Sequence, residues 1–244
     1  VVIIAITAFV YVVINREKLK IFFLRISSFL FVLVFTIILW FGYEYLKNGS
    51  WFITEFIKYQ YRLFSTEDAG HGGPVYYHLL VLLLGCFPAS VFMFFGMGKE
   101  SRKLSIPHFT FYKIMMILLI AVVLIFSIVK TKIVHYSSLA YFPITFLAAN
   151  YIYLLYMNKK RISKSVTIFF IVIGTILATG LSVVPLIFIK KDLFLSYIND
   201  DVAKACISLN VDWSGYEWGI GIIFFLMVLF IGYLFYKNKI KSGF

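Results

Sequence analysis

Charge is scarce in this chain. Asp, Glu, Lys and Arg make up 14% of its 244 residues, where a soluble globule carries about 25%. Acids are the rarer sign, 11 against 23 Lys and Arg, so the formal charge of +12 comes from missing carboxylates as much as from added cations. Cysteine is nearly absent. Cys86 lies in an apolar run and Cys206 in a polar loop, which predicts no disulfide and offers no metal-ligand spacing. The chain has no P-loop, no dinucleotide fingerprint and no HExxH, which removes the commonest nucleotide- and zinc-binding signatures. It has no internal repeat and no low-complexity segment. Paired acids such as Asp200-Asp201 have the chemistry to take a divalent cation, and more often belong to a solvated loop.

Apolar side chains fill the space that charge leaves. They are 62% of the sequence, aromatics alone are 20%, and the mean hydropathy is +0.94. A water-soluble protein is only about 45–50% apolar, so an integral membrane protein is expected. Seven apolar segments can be read: Val1–Ile14, Ile21–Phe41, Tyr76–Met97, Phe109–Val129, Leu139–Met157, Val166–Ile189 and Trp218–Tyr236. Most approach the roughly 20 residues that cross a hydrocarbon core. Each is expected to be helical, because unpaired backbone is too costly in lipid. The expected fold is therefore all-α: a polytopic bundle of about seven transmembrane helices forming one membrane domain over 1–244. Pro88, Pro143 and Pro185 fall inside these helices and are expected to kink them.

The connections sort by charge. Asn15–Lys20, Gly98–His108, Asn158–Ser165 and Lys237–Phe244 are strongly basic and hold only Glu17 and Glu100 as acids; the alternating set, Gly42–Val75, Lys130–Ser138 and Lys190–Glu217, is nearly balanced. The positive-inside rule places the first set, with the C-terminus, in the cytoplasm. The second set then faces outward, with long loops at 43–75 and 190–217. This distribution also accounts for the basic character without nucleic acid as a partner.

Two outward stretches carry polar chemistry. Lys130-Thr131-Lys132-Ile133-Val134-His135-Tyr136 leads into Tyr141-Phe142-Pro143. Lys132 and Tyr136 are four apart, so a helical turn would set them on one face. Lysines at such a place also serve as snorkelling anchors. In the loop before it, Asn48 or Ser50 can cap a helix. Trp51–Phe64 then places Phe52, Phe56, Tyr59 and Leu63 on one stripe and Glu55, Lys58 and Arg62 on another. That pattern predicts an amphipathic helix lying in the membrane interface. Ser65–Pro74 follows with Gly70, Gly72 and Gly73, a bend that also lets backbone approach a ligand.

Lys132-Ile133-Val134-His135-Tyr136 with Tyr141-Phe142-Pro143 resembles a signature of lipid-dependent glycosyltransferases of the GT-C superfamily, the aminoarabinose transferases of lipid A and the related protein-mannosyltransferase-like enzymes. Tyr59–Phe64 with Asp68–Pro74, Tyr76-Tyr77-His78 and Gly85-Cys86-Phe87-Pro88 resembles the same family's outward loop and the membrane helix after it. Together these stretches cover about a third of the chain. The family's Glu-His pair ahead of the arginine reads Tyr59-Gln60-Tyr61 here.

The resemblance implies an enzyme that moves a sugar from a polyprenyl phosphate to a lipid, glycan or protein acceptor at the outer face, in a bacterial inner membrane facing the periplasm. Lys132, Tyr136, His135, Arg62 and His71 would stabilise the departing lipid phosphate. The catalytic acid is expected upstream of residue 1, the chain being the C-terminal part of a longer membrane domain and unlikely to act alone, so no acid here is nominated as catalytic. No cofactor is implied with certainty, and a divalent cation stays open. Two other classes fit the same composition: a transporter or flippase for a lipid-linked or anionic substrate, and a non-catalytic membrane scaffold.

Overall fold

The computed structural model describes residues 2–15, 19–67, 71–98, 106–158, 160–197, 201–209 and 211–237. Most of the described residues are helical, and no strand occurs among them. In order, the helices are α1 (Val2–Asn15), α2 (Leu19–Asn48), α3 (Trp51–Ser65), α4 (Tyr77–Gly85), α5 (Ala89–Gly96), α6 (Ile106–Ile128), a 3-10 helix (Val134–Ala140), α7 (Tyr141–Met157), α8 (Lys164–Ile189), α9 (Lys191–Phe194), a 3-10 turn (Leu195–Tyr197), α10 (Asp201–Ser208) and α11 (Gly219–Tyr236). This is the all-α polytopic architecture expected.

All seven apolar segments are helical, but they differ as crossings. Five described helices are long and apolar enough to span: Ile26–Asn48, His108–Ile128, Val134–Met157, Lys164–Ile189 and Gly219–Tyr236. The segment Tyr76–Met97 is broken at Cys86–Pro88 into α4 and α5. Pro88 supplies no backbone N–H, so it withholds one bond from the helical ladder at the break. The first segment is a shorter apolar helix, Ile3–Ile14 within α1. Lipid is the evident solvent. Phe31, Leu46, Phe142 and Phe230 are each more than 60% exposed, an arrangement that water would penalise.

Three boundaries differ from expectation. The second segment does not end at Phe41 but runs on to Asn48, so the stretch 43–75, expected as a loop, begins as helix. Gly49 then turns the chain with a φ of 71°, a left-handed conformation that glycine adopts without a Cβ clash. Ser50 occupies the N-cap of α3 but makes no side-chain cap, and Asn48 Nδ2 donates instead to Glu44 Oε2 at 2.7 Å. Lys190–Glu217 is not one loop, since it contains α9 and α10. Pro143 lies in the first turn of α7, where a helix needs no N–H donor, so it marks a helix start rather than a kink. Pro185 alone sits in a helix interior. Asp68–Gly70 of the expected bend and Asp200 of the acidic pair lie outside the described residues, as do the basic connections at 16–18, 99–105 and 238–244.

The chain forms two compact units. The first holds Val1–Cys86 and Met97–Leu147. In it α1 and α4 pack on α6, the 3-10 helix packs on α4 and α6, and α3 folds back on α2. Phe41 of α2 meets Phe52 and Phe56 of α3 at ring distances of 6.1 and 5.4 Å, so the predicted apolar stripe of α3 does find a partner. Glu55 and Lys58 of its charged stripe pair at 2.8 Å. The second unit holds Phe87–Gly96 and Ala148–Phe244. Its core is aromatic: Phe170 lies 5.0 Å from Phe87, 6.4 Å from Phe92 and 5.2 Å from Phe235. Its α8 and α11 approach through small residues. A Cβ at Gly221 would lie 2.5 Å from the Ala178 carbonyl, and one at Gly174 would lie 2.6 Å from Val228. Close backbone approach of this kind gives membrane helices their packing energy.

Candidate functional site

The first unit brings the two polar stretches together. The C-terminal end of α3 meets the segment that follows α6. Lys130 N donates to Phe64 O at 3.2 Å, Thr131 N to Leu63 O at 3.3 Å, and Thr131 Oγ1 to Thr66 O at 2.7 Å. One residue on, Lys132 N donates to His71 O at 2.6 Å. The carbonyls at a helix end lack intrahelical donors, and here extended backbone supplies some of them. Thr131 is completely buried in this contact. The bend after α3 therefore closes onto Lys132. A Cβ at Gly73 would sit 3.2 Å from Lys132 Cγ and 3.3 Å from the Tyr77 ring. Glycine eases this approach, since a Cβ would crowd both neighbours; the object approached is the lysine stem.

Lys132 itself points inward. It is 5% exposed, and its ammonium donates to three carbonyls at the end of α6: Phe126 O at 3.0 Å, Ser127 O at 2.8 Å and Val129 O at 2.6 Å. An ammonium has three N–H groups, and all three are spent. A cation is favoured at this negative end of a helix, although burial pushes the ammonium below the usual lysine range. The expected shared face of Lys132 and Tyr136 does not form. Ile133 is extended, with φ −121° and ψ 128°, and Tyr136 belongs to a 3-10 helix that begins after it. A single α-helical turn through both residues is thus excluded.

Both residues still meet at Phe126. The Tyr136 ring lies 5.5 Å from the Phe126 ring, whose carbonyl Lys132 caps. His135 is exposed and stands edge-on to Tyr136 at 5.1 Å. Arg62 is exposed, with its guanidinium 5.3 Å from the Tyr59 ring, within cation–π range. The His71 side chain is exposed while its carbonyl is held by Lys132. The structure thus gathers the backbones that carry Arg62, His71 and Lys132, leaves the side chains of Arg62, His71 and His135 at the surface, and turns that of Lys132 away from it.

One residue beside the site belongs to the quoted Tyr76-Tyr77-His78 stretch but is not among the residues the sequence nominates. His78, on α4, is fully buried between the rings of Tyr77 at 5.1 Å and Phe126 at 5.7 Å, and neither ring nitrogen has a hydrogen-bond partner. The available signal was its spacing of four from Leu82, which is also buried. Among the described residues, no three His, Cys, Asp or Glu side chains gather as a metal-binding set. Cys86 and Cys206 are both free thiols.

No protein-family model matches the chain, and neither a curated protein nor a solved structure matches it.

Proposed function

We propose that this chain forms part of a membrane glycosyltransferase that uses a polyprenyl-phosphate sugar as donor and a lipid, glycan or protein hydroxyl or phosphate as acceptor. The reading places the site on the outer face of a bacterial inner membrane, with the C-terminus in the cytoplasm. It rests on one observation above the rest. The two stretches that resemble such enzymes, about 65 residues apart, are joined by four hydrogen bonds between 63–71 and 130–132.

In this reading the sugar–phosphate bond breaks and negative charge grows on the departing prenyl phosphate. Cations and hydrogen-bond donors fixed at that point lower the barrier. Arg62 is the strongest candidate, since its planar fork matches a phosphate. His71 and His135 add ring N–H donors, and Tyr136 stands next to His135. Lys132 enters through the backbone it fixes. The prenyl tail would lie against apolar helix surface.

The break between α4 and α5 favours a second reading, a transporter for an anionic lipid-linked substrate, because discontinuous helices commonly build such sites. One assay separates the two. The full-length protein is reconstituted in proteoliposomes with defined polyprenyl-phosphate sugars, and transfer and translocation are both followed. Transfer that falls by about tenfold or more in Arg62→Gln supports the transferase, this being roughly what one charge-assisted contact supplies. Translocation without transfer supports the transporter, and undiminished transfer by Arg62→Gln removes Arg62 from the site.

A further inference from the structure

Lys132 is the least accessible lysine in the neighbourhood and the most fully bonded. Its ammonium reaches back to α6, its amide reaches across to His71, and the amides of Lys130 and Thr131 beside it hold the end of α3. Three consecutive residues thus join three pieces of chain. We propose that Lys132 is a positioning residue: its ammonium anchors the Lys130–Lys132 strap to the end of α6, and the strap holds the end of α3 and the His71–Pro74 bend, so that Arg62 and His71 are presented to a phosphate that Lys132 never touches. The phosphate rests on the function proposed above; the strap does not.

Competition for the ammonium decides between this role and direct contact. To bind a phosphate, Lys132 would have to release carbonyls at 2.6, 2.8 and 3.0 Å. The end of α6 would then lose the donor for Phe126 O and Ser127 O in a part-buried place, where an unmet carbonyl is costly. At 5% exposure the side chain also offers no face to a ligand. Arg62 and His71 are both exposed, and the strap takes hold of backbone near them. Gly73 belongs to the same device, because it lets the bend lie against the Lys132 stem.

The test uses the full chain in phosphatidylcholine nanodiscs. Hydrogen exchange is read over 62–72 and 126–132, and binding is read with farnesyl phosphate as the probe. Lys132→Met, which keeps length and loses the donors, is expected to speed exchange in both stretches by about tenfold or more, as for loss of a local anchor, and to weaken farnesyl phosphate binding with it. Lys132→Arg restores a donor group and is expected to return both readouts most of the way. Arg62→Gln is expected to weaken binding while exchange stays at the wild-type level. Unchanged exchange in Lys132→Met overturns the proposal, and if binding falls in that same variant Lys132 is a direct phosphate contact. Equal exchange in Lys132→Met and Lys132→Arg also overturns it, since the ammonium would then not be the anchor. Should Lys132→Met fail to fold, Thr131→Val keeps the question decidable. It deletes the bond from Thr131 Oγ1 to Thr66 O and should speed exchange over 62–72 while sparing 126–129; no change there counts against the strap. If wild-type protein does not bind farnesyl phosphate above empty discs, the phosphate site fails as a reading, and the exchange data still judge the strap.

Discussion

Gly221→Ala is the sharpest test of how the second unit holds together. The added methyl would stand 2.5 Å from Ala178 O and 2.6 Å from Ser182 N. Both are backbone atoms of α8, so no side chain can swing aside to admit it. Ordinary contact begins near 3.4 Å, so α8 and α11 must separate by about 0.9 Å at this point, enough to forfeit much of the dispersion energy along the seam. Overpacking of this kind costs about 1–3 kcal/mol. The strain reaches further, because Gly174 against Val228 and Gly232 against Ile171 lie on the same seam, and Ser182 Oγ donates across it to Trp218 O at 3.1 Å. Gly180→Ala is the matched control: it lies on the same α8, but its added Cβ meets nothing within 4 Å. Helix propensity there should gain about 0.5–1 kcal/mol. Thermal unfolding in detergent, followed by tryptophan fluorescence, measures both. A chain of this size moves by about 2–4 °C per kcal/mol, so Gly221→Ala should melt several degrees below wild type and Gly180→Ala at or above it. Equal midpoints for the two variants would refute the close-approach account of α8 and α11.

Two further outcomes follow from local geometry. Glu217 accepts from Ser214 Oγ at 2.8 Å, Ser214 N at 2.7 Å and Gly215 N at 3.0 Å; these bonds, led by the Ser214 hydroxyl, hold its carboxyl below the usual range. The folded form therefore binds its proton more weakly than the unfolded one. The stabilisation is whole above the ordinary value of 4.5 and is lost as pH falls through the lowered folded value; exchange over 211–218 should rise in that acid window in wild type and show no such step in Glu217→Gln. Phe41→Ala removes both ring contacts that hold α3 to α2, each worth about 0.5–1.5 kcal/mol; proteolysis within Trp51–Ser65 should quicken while the second unit keeps its cleavage pattern.

Periodicity and length carried most of the architecture into view. The apolar runs located all five described helices that are long and apolar enough to span, because in lipid a long apolar stretch has almost no alternative to helix. The stripe Phe52–Phe56 was legible for the same reason, and it meets Phe41 as a three-to-four spacing requires. What depends on contacts between distant segments was not legible. Nothing in Lys132-Ile133-Val134-His135-Tyr136 distinguishes a lysine that faces water from one that folds back to cap α6, since that choice is made by where the carbonyls of Phe126, Ser127 and Val129 fall. The i, i+4 reading of Lys132 and Tyr136 assumed α-helix, and a 3-10 helix formed instead, with Pro143 close behind at the start of α7. Ser50 shows the same limit: it has the right residue type at the N-cap, yet its own backbone is helical, with φ −74° and ψ −11°, and its side chain makes no cap bond.

Lys132 has a counterpart in Lys191, whose ammonium closes the end of α10 through Ser208 O at 3.1 Å and Leu209 O at 3.2 Å. Both belong to connections that the sequence assigns to the less basic side. Two of the cations that dilute the charge asymmetry are therefore engaged at helix termini, and each offers a headgroup less available positive charge than a count of letters suggests.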